Sequence, residues 1–291
     1  MHSSAGIAID VRGLRKSYTT KAGTKTAVDR IDLQINAGEI FAILGPNGAG
    51  KTTTVEILEG YRERDAGEVL VLGQDPGKLG QRNRQWRNRI GIVLQATNDV
   101  ADLTVYESVA HFAKYYATPK DPELVIASVG LTEKRDAKVL SLSGGQRRRL
   151  DVALGIVGSP DILFLDEPTT GFDPEARRVF WDLIRSLRAS GTTILLTTHY
   201  LDEAEALADR VAVITDGRIV EVATPQTLGG RHQALAVVSW VENGVTNRVE
   251  CADPASEVVK LSQRLGGNVK ELLVLRPSLE DIYLTMIGQK P

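Results

Sequence analysis

The chain has 291 residues, 42% hydrophobic and 25% charged, an ordinary globular balance with room for one large domain and a smaller one. Thirty-five Lys and Arg against thirty-seven Asp and Glu leave a net charge of -2, which excludes a global electrostatic pull toward nucleic acid. Cys251 is the single cysteine, which excludes an intrachain disulfide, and nowhere do about eighteen apolar residues run together to span a bilayer.

Residues Met1-His2-Ser3-Ser4-Ala5-Gly6 carry no basic segment followed by an apolar core, so no secretory leader is expected. Ile7 to Tyr18 and Thr26 to Ile35 read as strands joined by the polar turn Thr19-Thr20-Lys21-Ala22-Gly23. Glu68 to Leu72, after Asp65-Ala66-Gly67, reads as another, and an antiparallel sheet is expected. Between them an apolar run, Ile40-Phe41-Ala42-Ile43-Leu44, leads into Gly45-Pro46-Asn47-Gly48-Ala49-Gly50-Lys51-Thr52-Thr53 and a helical pattern through Val55, Ile57 and Leu58.

Strand, Gly-x4-Gly-Lys-Thr, helix is the context of a phosphate cradle. Without Cβ atoms, Gly45, Gly48 and Gly50 let the backbone turn N–H groups inward, and the positive end of the following helix adds to them. Lys51 would reach the β/γ oxygens of a triphosphate, and the Thr52 hydroxyl would hold Mg²⁺. Asn47, Gly48, Ala49, Gly50, Lys51, Thr52 and Thr53 are accordingly expected to bind nucleotide. A glycine-rich turn that binds nothing is the bland alternative, and the flanking strand and helix count against it.

Further along, Arg82, Arg84, Arg87 and Arg89 around Trp86 read as surface. Helical spacing then takes over at Leu103, Val105, Val109, Phe112 and Tyr116 and continues through Leu124, Val125, Val129 and Leu131. The apolar strand Ile162-Leu163-Phe164-Leu165 ends in Asp166 and Glu167. Open α/β sheets place ligands beyond the carboxyl ends of such strands. Asp166 would face the cradle and bind Mg²⁺, directly or through water, and Glu167 could polarise the attacking water. Helix Pro174 to Ala189, strand Thr193 to Thr197, helix Leu201 to Ala208 and strand Val211 to Ile214 complete an alternation that argues a parallel sheet with crossovers. After Thr224-Pro225 and Gly229-Gly230, two β-like runs, Ala234 to Trp240 and Leu272 to Leu275, surround a helix from Ala255 to Leu265. Leu279, Ile282, Tyr283 and Met286 form a closing apolar stripe, read as a minor core rather than a partner-binding helix.

Leu142-Ser143-Gly144-Gly145-Gln146 lies between cradle and acids, and it resembles the signature of ATP-binding cassette (ABC) ATPases. The other family parts follow in order: Tyr18 resembles the aromatic that stacks on adenine, Gln95 the glutamine that senses Mg²⁺, Asp173 the D-loop acid, and His199 the switch histidine. Alone, Tyr18 would be an ordinary strand aromatic, His199 a satisfied surface or core histidine, and Asp173 before Pro174 a helix cap. Arg147, Arg148 and Arg149 read as a solvated or transporter-facing face rather than a nucleic-acid patch.

The resemblance covers roughly residues 7 to 225. It implies an α/β fold: a P-loop NTPase core with a mainly parallel sheet, an antiparallel β subdomain, an inserted helical subdomain at about 98–157, and a small C-terminal α/β extension at 231–291. It implies Glu167, His199 and Lys51 in catalysis and Thr52, Gln95 and Asp166 around the metal. It also implies that Ser143, Gly144, Gly145, Gln146 and Asp173 address an ATP held by a second cassette, identical or related. Glu59-Gly60-Tyr61, Thr169-Thr170-Gly171-Phe172-Asp173-Pro174 and Pro277-Ser278-Leu279-Glu280-Asp281-Ile282-Tyr283 resemble the bacterial daunorubicin-type drug-resistance exporter ATPases; Phe172 departs from the leucine commoner there. That likeness implies a separate polytopic permease, residence at the cytoplasmic face of the membrane, and export of a drug, antibiotic or lipid-like compound. A soluble cassette acting on ribosomes or nucleic acid is the alternative. No long heptad segment interrupts Thr52 to Ser143, and no nucleic-acid partner is expected.

Overall fold

The computed structural model describes residues 6–20, 23–79, 83–93 and 102–288; Arg82 and Gln95 lie outside them. Two compact units make up the chain, Met1–Val222 and Ala223–Pro291.

In the first unit, β1 (Ile7–Thr20) pairs antiparallel with β2 (Gly23–Asn36). Along β2, Ile31, Leu33 and Ile35 are buried while Asp32, Gln34 and Asn36 are exposed, the period-two alternation of a half-buried strand. β3 (Ile40–Leu44) is buried throughout and runs through the glycine loop into α1 (Lys51–Leu58). β4 (Ala66–Val71) pairs with the other edge of β1, giving a sheet of order β2-β1-β4. Next come the short α2 (Arg84–Arg87) and β5 (Ile90–Val93). Here one expectation is corrected. Arg84, Arg87 and Arg89 are exposed, but Trp86 is buried and its indole N–H donates to the Val71 carbonyl at 2.9 Å. An indole at this depth needs a polar partner, and the end of β4 supplies one.

Three helices follow: α3 (Val105–Ala113), α4 (Pro122–Ser128) and α5 (Gly144–Ile156). Thr104 starts α3 with a capping box, its hydroxyl accepting from Glu107 N at 3.1 Å while Glu107 Oε2 accepts from Thr104 N at 2.7 Å. β6 (Ile162–Asp166), α6 (Pro174–Ala189), β7 (Thr193–Thr198), α7 (Leu201–Leu207), β8 (Arg210–Thr215) and β9 (Arg218–Ala223) close the unit. They build a six-stranded sheet of order β5-β6-β7-β3-β8-β9. The pairs β5-β6, β6-β7, β7-β3 and β3-β8 are parallel. This mixed architecture is that of a P-loop NTPase core with an antiparallel β subdomain and inserted helices. Register sets Leu44 beside Thr198 and Asp166 beside Thr197, so the segments leaving β3, β6 and β7 emerge together. That edge is where an open parallel sheet binds ligands.

In the second unit, β10 (Ala236–Glu242), β11 (Val245–Cys251), α8 (Pro254–Arg264), β12 (Lys270–Leu275) and α9 (Leu279–Met286) form an antiparallel sheet of order β11-β10-β12 with two helices. Val238, Trp240 and Leu261 are its buried core. β11 was not among the expected strands. Asn243 (φ 54) and Gly244 (φ 78) make the two-residue turn that joins it to β10. The apolar stripe of α9 is used within the unit: Leu279 and Tyr283 are buried, and Ile282 and Met286 lie over Gly229. Among the described residues, no helix is long and apolar enough to cross a membrane.

Candidate functional site

The glycine loop joins the end of β3 to the start of α1, and its shape requires glycine. Gly48 (φ 80) and Gly50 (φ 106) hold left-handed backbone, and a Cβ on Gly50 would lie 2.3 Å from the Ala27 carbonyl oxygen. Lys51, although a cation, is buried, and its ammonium donates to the carbonyls of Gly45 at 2.9 Å and Pro46 at 3.2 Å. Tyr18, Asn47, Gly48, Gly50, Lys51, Thr52, Thr53 and Glu167 line one cleft of about 470 Å³, a volume typical of small-molecule sites. Ala49 is buried beneath it. Tyr18 OH lies 3.3 Å from Thr53 Oγ1, and the Arg62 guanidinium sits 5.3 Å over the tyrosine ring.

The acids arrive from β6. Thr52 Oγ1 donates to Asp166 Oδ2 at 3.1 Å, and Thr197 Oγ1 also donates to Asp166. A hydroxyl and a carboxylate converging from separate elements form an all-oxygen donor pair, which suits a small hard cation such as Mg²⁺. Glu167 Oε1 is 3.3 Å from Lys51 Nζ, and Glu167 Oε2 is 3.3 Å from His199 Nδ1, though the latter approach lacks hydrogen-bond alignment. The His199 ring lies against Tyr200, centroids 4.1 Å apart and planes tilted by 39°, and Tyr200 is covered by the Arg177 guanidinium at 4.6 Å. Lys51, Thr52, Asp166, Glu167 and His199 therefore meet at one edge of the sheet.

Ser143, Gly145, Gln146 and Asp173 line a second cleft instead. Ser143 caps α5 with a full box: its hydroxyl accepts from Gln146 N at 3.3 Å, and its own N–H donates to Gln146 Oε1 at 3.0 Å. Gly144 opens that helix and is exposed. Asp173 caps α6, accepting from Ala176 N at 2.8 Å. Both helix starts border this cleft, where the Gly144 and Gly145 N–H groups of α5 have no intrahelical acceptor, whereas α6 begins with Pro174, which has no N–H.

Two charged residues were not anticipated. Glu59, at the end of α1, is buried, and its carboxyl is pushed up to about 8 by burial, then by Asp166 and Glu56. The solvated-face reading of Arg147 to Arg149 is corrected at Arg148, which is buried and bonded to backbone behind Glu167. Burial lowers its pKa while Asp151, Asp166 and Glu203 oppose that shift. Helical geometry was the available signal, since consecutive residues point about 100° apart and cannot share one face.

Residues 28–170 match the family model described as ABC transporter. Nod factor export ATP-binding protein I of Rhizobium sp. (strain N33) is 38% identical, with 98% of each chain covered. The protein of that name from Ralstonia nicotianae is 43% identical over 76% of this chain and 68% of its own length. Among solved structures, a Clostridium perfringens chain described as part of an ABC transporter complex is 29% identical, with a TM-score of 0.66 over 76% of this chain and 90% of that one. An ATP-binding cassette in a dimeric post-hydrolysis state with ADP and Pi has a TM-score of 0.67 over 74% and 98%, a likeness of fold alone at 24% identity.

Proposed function

The chain belongs to the ABC transporter family as an ATP-binding subunit and is an ATPase, and we propose that it works as the motor of an exporter whose membrane part is a separate polytopic permease. The observation that carries the reading is Glu167, held 3.3 Å from both the Lys51 ammonium and His199 Nδ1 at the edge where β3, β6 and β7 end. A carboxylate there can take a proton from water while a cation and an imidazole flank the transferred phosphoryl group.

In this reading Tyr18 stacks on adenine, and the loop from Asn47 to Thr53 cradles the phosphates. Thr52 and Asp166 would hold Mg²⁺, and Gln95 is assigned the role of sensing it; the ion would offset charge on the phosphoryl oxygens. Glu167 accepts the proton of the attacking water as its oxygen bonds to the γ-phosphorus, and the bond to the bridging oxygen of ADP breaks. His199 orients that water and the γ-phosphate. Ser143, Gly144, Gly145, Gln146 and Asp173 close on the nucleotide of a second cassette, most simply another copy of this chain. The nucleotide-binding domain spans residues 7–225, and residues 231–291 form a small appended domain. The assembly sits at the cytoplasmic face of a membrane through the permease.

For cargo, the likeness to drug-resistance ATPases supports a drug, antibiotic or lipid-like compound. The relatives' names support export, and Nod factor joins those candidates for testing. The decisive experiment is co-purification of the tagged full chain from detergent-solubilised membranes, followed by reconstitution. Capture of a polytopic membrane protein and ATP-dependent movement of a candidate compound are expected. Ribosomes or DNA in its place would favour the soluble-cassette alternative.

A further inference from the structure

Lys51 and Arg148 are the two buried cations among the described residues, and the nucleotide site accounts only for Lys51. Arg148 lies on α5, five residues beyond the cap at Ser143. Its guanidinium donates from Nε to the Pro168 carbonyl at 3.0 Å and from Nη2 to the Asp166 carbonyl at 2.9 Å. Those carbonyls belong to the residues on either side of Glu167. Glu167 itself has φ 43, a left-handed conformation that a residue with a Cβ avoids. Such a backbone persists only where its surroundings over-determine it. From the other side, β7 grips the Glu167 N–H through the Thr197 carbonyl at 3.2 Å and Thr197 Oγ1 at 3.1 Å.

We infer that Arg148 is a positioning residue, which holds Glu167 in this backbone and so aims its carboxylate at Lys51 and His199. The geometry needs a planar fork with two separated donors, which arginine has and lysine lacks. Asp151, 3.9 Å from the guanidinium, Asp166 and Glu203 supply the negative charge that lets a buried cation remain there. A plain structural brace is the rival explanation, and it predicts loss of fold rather than loss of aim. The inference rests on Glu167 being the base in the proposed site.

The test compares the full chain with Arg148→Lys and Arg148→Gln for ATP affinity, melting temperature, and steady-state and single-turnover hydrolysis. Arg148→Lys keeps a charge beside Asp151, so it separates aim from folding. Turnover is expected to fall about 10- to 100-fold, the scale of a small misplacement of a reacting group, with ATP affinity unchanged. On a Glu167→Gln background, Arg148→Lys is expected to lower the single-turnover rate no further, because the two act as one unit. Wild-type turnover by Arg148→Lys overturns the inference. So does a fall that tracks lost ATP affinity, or one repeated in full on the Glu167→Gln background. Normal turnover by Glu167→Gln alone instead overturns the site reading beneath it, whereas an inactive Glu167→Gln beside a fully active Arg148→Lys removes only the inference.

Discussion

Thr52 Oγ1 donates to Asp166 Oδ2 at 3.1 Å, joining the first turn of α1 to the end of β6 across 114 positions of sequence. A hydroxyl and a carboxylate brought together this way point to shared ownership of one cation. Replacing Thr52 with Ala is expected to raise the Mg²⁺ concentration for half-maximal hydrolysis about 10- to 100-fold, the range for disturbing a metal's immediate surroundings. Metal titration of ATPase rate reads this directly. An unchanged midpoint would exclude Thr52 as a ligand.

Glu167→Gln preserves the shape of the side chain but removes its capacity to take a proton. Turnover is expected to fall about 10²- to 10⁴-fold while ATP still binds. With the signature cleft intact, the variant should accumulate as an ATP-bound dimer in size-exclusion chromatography. Steady-state hydrolysis at the wild-type rate would release Glu167 from the role of base.

Gly50→Ala tests the cradle by sterics alone. The new Cβ would lie 2.3 Å from the Ala27 carbonyl oxygen, at a φ of 106 that L residues rarely adopt. Strain of about 1–3 kcal/mol must be relieved by moving the loop. That displacement is expected to weaken ATP binding roughly ten- to hundredfold, measured with a fluorescent nucleotide. Wild-type affinity would show that the loop's geometry is not what holds the phosphates.

Glu59 gives a pH signature. Its carboxyl titrates at about 8 in the folded chain against an ordinary value of 4.5, because burial, then Asp166 and Glu56, disfavour the charge. Between those values the native state holds a proton the unfolded state has lost. Its contribution to stability is therefore fully present below about pH 4.5 and is lost as pH rises through about 8. Glu59→Gln is neutral throughout and should flatten that slope, becoming relatively more stable above pH 8 on the order of a few kcal/mol. Denaturant unfolding in magnesium-free buffer at about pH 5 and about pH 9 checks it; the same wild-type-to-variant difference at both would refute the assignment.

What could be read from sequence was what depends on short-range chemistry. The glycine loop is legible because the left-handed backbone at Gly48 and Gly50 and the bonds from Lys51 to the Gly45 and Pro46 carbonyls are demands of the loop itself. The buried parallel strands β3 and β6 are legible because residues 40–44 and 162–165 are continuous apolar runs. The contact between Thr52 and Asp166 is not local, since it follows from the strand order β6-β7-β3. β11 alternates weakly, and its signal in the sequence is the Asn243-Gly244 turn before it. Trp86 was hidden by its arginine neighbours, and Arg148 by the assumption that a run of like charges shares one side of a helix.

The capping box at Ser143 and the grip of Arg148 belong to one helix, separated by about 7.5 Å of rise. On the roles assigned above, its tip meets a phosphate carried by the neighbouring subunit, while its flank steadies the carboxylate that takes the proton of the water attacking the phosphate carried at home. Loading one pocket would thereby bear on the readiness of the other through a rod too short to bend. Paired hydrolysis events in such a dimer would then be correlated in time.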